Sequence, residues 1–93
     1  MNQRDFFSKN LTLSTEFDLY LLDHPEVAEQ IPKHALIVLL PEDDRELCTY
    51  NLQNAKKMKR PGQRLIYVKI KGLEPPRSRL INPEVELAPA KAE

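Results

Sequence analysis

The sequence predicts a small α/β domain of helix, helix, strand, helix, strand, with a right-handed parallel β-α-β unit and an N-terminal helical arm. Three observations carry that prediction. The segment Ala35 to Leu40 (ALIVLL) has no polar side chain; successive strand residues point to opposite faces, so it needs cover above and below, as in a parallel sheet. A stretch of helical period follows, from about Asp44 to Arg60, and then an alternating stretch from Arg64 to Lys71. Strands joined by a helical crossover lie parallel, and the crossover is nearly always right-handed.

The arm comes first. Asn2 is a favoured N-cap residue, Asp5 sits in the first turn, and Phe6, Asn10, Leu13, Phe17, Tyr20 and Leu21 recur at near-helical spacing, with Leu11 and Leu22 widening the stripe. This helix is expected to end at about Leu22. Asp23-His24-Pro25-Glu26 reads as a stop and restart: Pro suits an opening turn, and an acid three residues after Asp23 has the pattern of a capping box. A short second helix from Pro25 to about Gln30 ends before Pro32.

In the crossover helix Leu47, Cys48, Leu52, Ala55 and Met58 share one face, and Pro61-Gly62 terminates it. In the last strand Ile66, Val68 and Ile70 point one way while Leu65, Tyr67, Lys69 and Lys71 point the other, a face that grows wet toward a sheet margin. The long helices are expected on opposite faces of the sheet, or else a partner supplies the second cover. Two strands leave the apolar one with an open flank, so a third is expected from Glu84 to Leu87 (EVEL) or from a second copy of the chain. Residues 1–87 read as one domain and 88–93 as a disordered tail.

Composition narrows the class. The 93 residues are 41% hydrophobic and 30% charged, with no Trp, which suits one thin-cored globular domain. The longest apolar run is far shorter than the roughly 20 residues a membrane span needs. MNQRDFFSKN has no apolar stretch of signal-peptide length, so the cytoplasm is the expected compartment. The lone cysteine, Cys48, excludes an internal disulfide and a paired-Cys zinc site.

Net charge is zero but lopsided: Met1 to Ala55 carries −6 and Lys56 to Glu93 carries +6. Either a charged binding face or two complementary halves is implied. Lys56, Lys57, Lys59 and Arg60 also suit a helix C-terminus electrostatically.

Ligands of open α/β sheets bind outside the carboxyl ends of the strands. Both strand exits fall on one edge, where Glu42, Asp43 and Asp44 face a segment carrying Arg77 and Arg79. One reading makes the acids Mg²⁺ ligands and the arginines a phosphate clamp. The plainer reading makes Asp43 or Asp44 the cap of the following helix, with its neighbours favouring the helix dipole. His24, at a helix junction, and His34, at the amino end of the strand, suit loop or capping roles better than catalysis. Cys48 reads as a small core hydrophobe. The basic stretch 56–79 invites nucleic acid, yet it spans a helix end, a strand and a loop without a recognition motif.

LPEDD (Leu40 to Asp44), His24-Pro25-Glu26 and PPRSRL (Pro75 to Leu80) resemble a small prokaryotic family known only as a domain of unknown function, over roughly residues 5 to 82. The resemblance implies a compact α/β domain and no known activity, cofactor or catalytic residue. The expected function is a non-catalytic interaction or accessory domain that forms a homodimer or binds another protein, without metal, cofactor or membrane. A ligand-binding or enzymatic domain using Glu42, Asp43, Asp44, Arg77 and Arg79 is the alternative, and nucleic-acid binding through 56–79 a further one.

Overall fold

The computed structural model describes residues 2–90. Helix α1 spans Gln3–Asp23, α2 Pro25–Ala28, strand β1 Leu36–Pro41, α3 Arg45–Met58 and β2 Leu65–Ile70. Asn2 is the cap of α1: its backbone is extended and its Oδ1 accepts the Asp5 N–H at 2.9 Å. The expected capping box at Asp23 does not form. A residue before proline is pushed out of helical conformation, so the break falls at His24 (φ −132°) and Asp23 stays in α1. Glu26 turns instead to His24, its Oε1 3.1 Å from Nδ1. Helix α2 is two residues shorter than expected.

β1 starts one residue later than the apolar run, because His34 takes a left-handed φ of 64° and the Ala35 N–H closes a turn onto Pro32 O at 3.3 Å. It runs on through Pro41. α3 stops at Met58 rather than Arg60: Lys59 is already extended, and Arg60, which precedes Pro61, bonds Gln63 in a turn that Gly62 completes at φ 77°.

β1 and β2 pair in parallel, in register from Leu36 with Leu65 to Pro41 with Ile70. The sheet has these two strands among the described residues. Residues 84–87, expected as a possible third strand, carry no strand and lie exposed, as does every residue from 71 to 90. Val85 and Leu87 offer too little apolar surface to offset ordering a separate strand. This extended segment lifts the radius of gyration to 19.6 Å, where a compact chain of this length gives about 12 Å. Part of the expected disordered end, 91–93, lies outside the described residues.

The core sits between β1 and α3. Val38, Leu40 and Ala55 are buried, with Leu36, Cys48, Leu52 and Leu65 packed against them, and Leu47 is the deepest side chain at 1% exposure. On the other face Leu13 and Phe17 of α1 look toward Ile66, Val68 and Ile70 of β2. The helices therefore take opposite faces, but cover is uneven: Leu13 on the inner side of α1 is buried, whereas Ile37 at the amino end of β1 stays 37% exposed. No helix among the described residues is long and apolar enough to cross a membrane.

Candidate functional site

Parallel strands end on the same side, so β1 and β2 both exit into a cleft of about 340 Å³ between Ser8, Lys9 and Thr12 of α1 and Asp43, Asp44, Gly72 and Leu73. Asp44 is committed twice here. Its Oδ1 accepts the Leu47 N–H at 3.1 Å and caps α3; its Oδ2 takes Lys9 Nζ at 2.7 Å. The Lys9 hydrogen bond, then the Leu47 N–H, holds the Asp44 carboxyl below its ordinary range, and the same contact raises Lys9. Both oxygens are thus engaged, so a ligand would have to share them with Lys9 and the Leu47 N–H.

The other residues expected at this site are scattered. Asp43 lines the cleft with its carboxylate beside Gly72. Glu42 is exposed, and Arg77 and Arg79 lie on the exposed segment beyond β2, outside the cleft. No group of three or more His, Cys, Asp or Glu able to hold a metal occurs among the described residues. His24 stacks on Tyr20 with ring centroids 4.1 Å apart, and its ion pair with Glu26 stays at the α1–α2 junction. Glu26 is held below the ordinary carboxyl range by its own backbone N–H and then by His24. His34 offers its carbonyl to Gln63 Nε2 at 2.8 Å, away from the cleft. Cys48 is half-buried against the core. The basic residues of 56–79 are exposed but divided among the end of α3, β2 and the extended segment.

Local patterns gave no sign of Lys9, nor of a reciprocal pair in which Asn10 and Asn51 exchange hydrogen bonds at 2.8 and 2.9 Å. The available signal was polarity: both asparagines interrupt otherwise apolar faces. Together with Phe6 stacked on Tyr50 at 4.1 Å, these contacts fasten the first half of α1 to α3.

They fasten it around one strand edge. The Leu36 and Glu42 N–H groups donate into β2, to Arg64 O at 2.8 Å and Ile70 O at 2.7 Å. The amides of a strand alternate sides, so even-numbered residues of β1 bond β2 while Ile37, Leu39 and Pro41 front an open edge. Asn51 Nδ2 reaches the Leu39 carbonyl there at 2.8 Å, and the N–H that proline lacks falls where no ladder bond is lost. Toward the amino end the edge lies open in a groove of about 390 Å³, between Phe7 and Leu11 of α1 and Asn54 and Met58 of α3. Phe7, Leu11 and Met58 are 71%, 57% and 67% exposed, a large apolar investment on a surface. A wider cleft of about 1000 Å³ separates Phe17, Tyr20 and Ile31 from the α1-facing side of β2.

No curated protein and no solved structure gives a significant match to the chain. A family model does, over residues 5–83, which takes in the whole stretch that the LPEDD and PPRSRL segments suggest. The chain belongs to DUF5647, a family of unknown function.

Proposed function

We propose that this domain is a non-catalytic interaction module whose working surface is the open edge of β1, onto which an extended segment adds as a strand. The observation that carries this reading is the combination of both unbonded Ile37 backbone groups and the unbonded Leu39 N–H with a charge-free, mainly apolar groove around them. Main-chain bonds to such an edge give affinity and the flanking apolar residues give selectivity. The acidic turn supports the same choice from the other side: Asp44 is occupied by Lys9 and the α3 cap, and Arg77 and Arg79 do not converge on it. In this reading the domain works in the cytoplasm, a compartment suited to a lone thiol such as Cys48.

The test compares the tagged wild-type protein with Ile37→Pro, which deletes an edge N–H but no bond to β2. Both are used to capture material from native extract, with protein, nucleic-acid and small-molecule fractions identified by mass spectrometry. A protein held by the wild type and lost from the folded variant is the expected result. Equal capture by both defeats strand addition, and heat on calorimetric titration of Mg²⁺ that Asp43→Ala/Asp44→Ala abolishes replaces it with the acidic turn.

A further inference from the structure

The open edge of β1 is itself patterned. The carbonyls of Ala35, Ile37 and Leu39 all point to it, because each opposes an N–H that donates into β2. Two of the edge groups are already used: the Ala35 N–H bonds Pro32 O, and the Leu39 carbonyl accepts from Asn51. What remains is the Ala35 carbonyl, both groups of Ile37, and the Leu39 N–H. That set is self-complementary in one register. If a second β1 runs antiparallel with Ile37 opposite Ile37, the two isoleucines exchange both their bonds, and each Leu39 N–H meets the Ala35 carbonyl of the other copy. The groups that would then face each other without need, the Ala35 N–H and the Leu39 carbonyl, are the two that have internal partners.

We propose that the occupant of this edge is a second copy of the chain, added about a twofold axis at Ile37 so that the two sheets become one with strand order β2-β1-β1-β2. This rests on the strand-addition reading above and names its partner. Charge fits the same arrangement. The amino end of β1 carries Lys33 and lies on the side of the α3 C-terminus with Lys56, Lys57 and Lys59, while its carboxyl end carries Glu42 and Asp43. An antiparallel partner sets each basic end beside an acidic one. The ion pairs of Asp44 and Glu26 both lie inside the acidic half of the chain, so they leave the −6 and +6 imbalance of the two halves standing. A twofold axis normal to the sheet keeps like faces together, so Phe7 and Leu11 of α1 meet their counterparts on one side and Met58 meets its own on the other. The groove also ends where it should. The Asn10–Asn51 pair closes it at Leu39, and the left-handed turn at His34 leads the second chain away at the matching point.

The experiment uses the full chain, with light scattering and amide hydrogen exchange by NMR from low micromolar to near-millimolar concentration. Mass is expected to double from 10.8 kDa, with exchange at Ile37 and Leu39 slowing in step while Tyr67 and Lys69, on the outer edge of β2, keep the rates of open amides. Two exposed positions supply variants that leave the core alone. Lys33→Glu or Glu42→Lys alone lowers the dimer fraction, and the two together restore it. A monomer at every concentration, a dimer that leaves Ile37 and Leu39 unprotected, or a double variant no better than the singles overturns the proposal. The broader reading fails separately: a monomeric protein whose capture of another chain depends on Ile37 overturns only the second copy, whereas capture unchanged by Ile37→Pro overturns strand addition altogether.

Discussion

A two-stranded sheet has two free edges, and this molecule treats them differently. The odd-numbered residues of β2 front its outer edge, and there Tyr67 and Lys69 are exposed, with Lys71 just beyond. Lysines on an edge strand discourage further pairing, because an added strand would have to strip their hydration. β1 has no charged residue. Its carboxyl half is blocked by Asn51, Pro41 and the α1–α3 contacts, and its amino half is left to Ile37 between apolar walls. One edge carries lysines at its carboxyl end and the other none, so the opening at Ile37 between apolar walls is particular to β1 rather than a general consequence of a small sheet.

The most disruptive way to challenge this contrast is through the core both edges share. Leu47 is 1% exposed and lies beneath the turn that leads from β1 into α3. Leu47→Ala is expected to lower unfolding free energy by about 2–5 kcal/mol in urea titration. Because that loss is global, protection at the ladder amides Val38 and Leu40 of β1 and Val68 and Ile70 of β2 should fall together. A loss of protection confined to β1 would mean that its edge depends on the core in a way that the β2 edge does not.

Asn51 tests the blocked half directly. Asn51→Ala leaves the Leu39 carbonyl and the Asn10 amide without their partner, at a cost of about 1–3 kcal/mol. In the twofold register the freed carbonyl faces an Ala35 N–H that Pro32 already holds, so self-association should weaken along with the fold. Association that strengthens instead would show that Asn51 limits the groove rather than supporting it.

How far this was legible in the sequence differs between local and distant features. All five elements were marked by local signals: the Asn2 cap, the proline restart at His24-Pro25, the unbroken apolar run, the α3 stripe and the alternation in β2. Their boundaries moved where a single backbone preference prevailed, at His24, His34 and Arg60. The edges were another matter. Which amides of β1 face outward depends on register with β2, and what blocks them comes from Asn51, 12 positions from Leu39, held in place by pairs 35 and 41 positions apart, Lys9–Asp44 and Asn10–Asn51. No periodicity encodes such distances. Of the acidic turn, the sequence narrowed the helix cap to Asp43 or Asp44, and Asp44 fills it. It could not show that Lys9 claims the remaining oxygen, or that Arg77 and Arg79 stand apart.

The guard on β2 is open to the reverse experiment. Lys69→Thr with Lys71→Thr removes two exposed charges and should leave stability within about 0.5 kcal/mol. It should nevertheless create a second self-pairing edge, seen as assemblies larger than a dimer in light scattering. If the variant keeps the wild-type mass, the lysines are not what closes that edge, and the asymmetry between the strands must come from α1 and α3 alone.

The smallest effect is set by pH, through the Lys9–Asp44 pair that helps fold α1 over the blocked half of β1. Asp44 is depressed below its ordinary value of 3.8, so what it contributes is complete above that value and is lost as pH falls through the folded-state pKa beneath it. Lys9 is raised above 10.5, so its share is complete below that value and is lost only as pH rises through the folded-state pKa above it. Between these limits the pair contributes a constant amount. Asp44→Asn separates the roles, since asparagine still caps α3 but carries no charge for Lys9. The variant should unfold at slightly lower urea than the wild type at neutral pH, and the gap should close at pH values below the Asp44 transition. A gap that persists in acid would assign the loss to the cap, and the closure of β1's carboxyl half would then rest on Asn51 and Pro41 without help from charge.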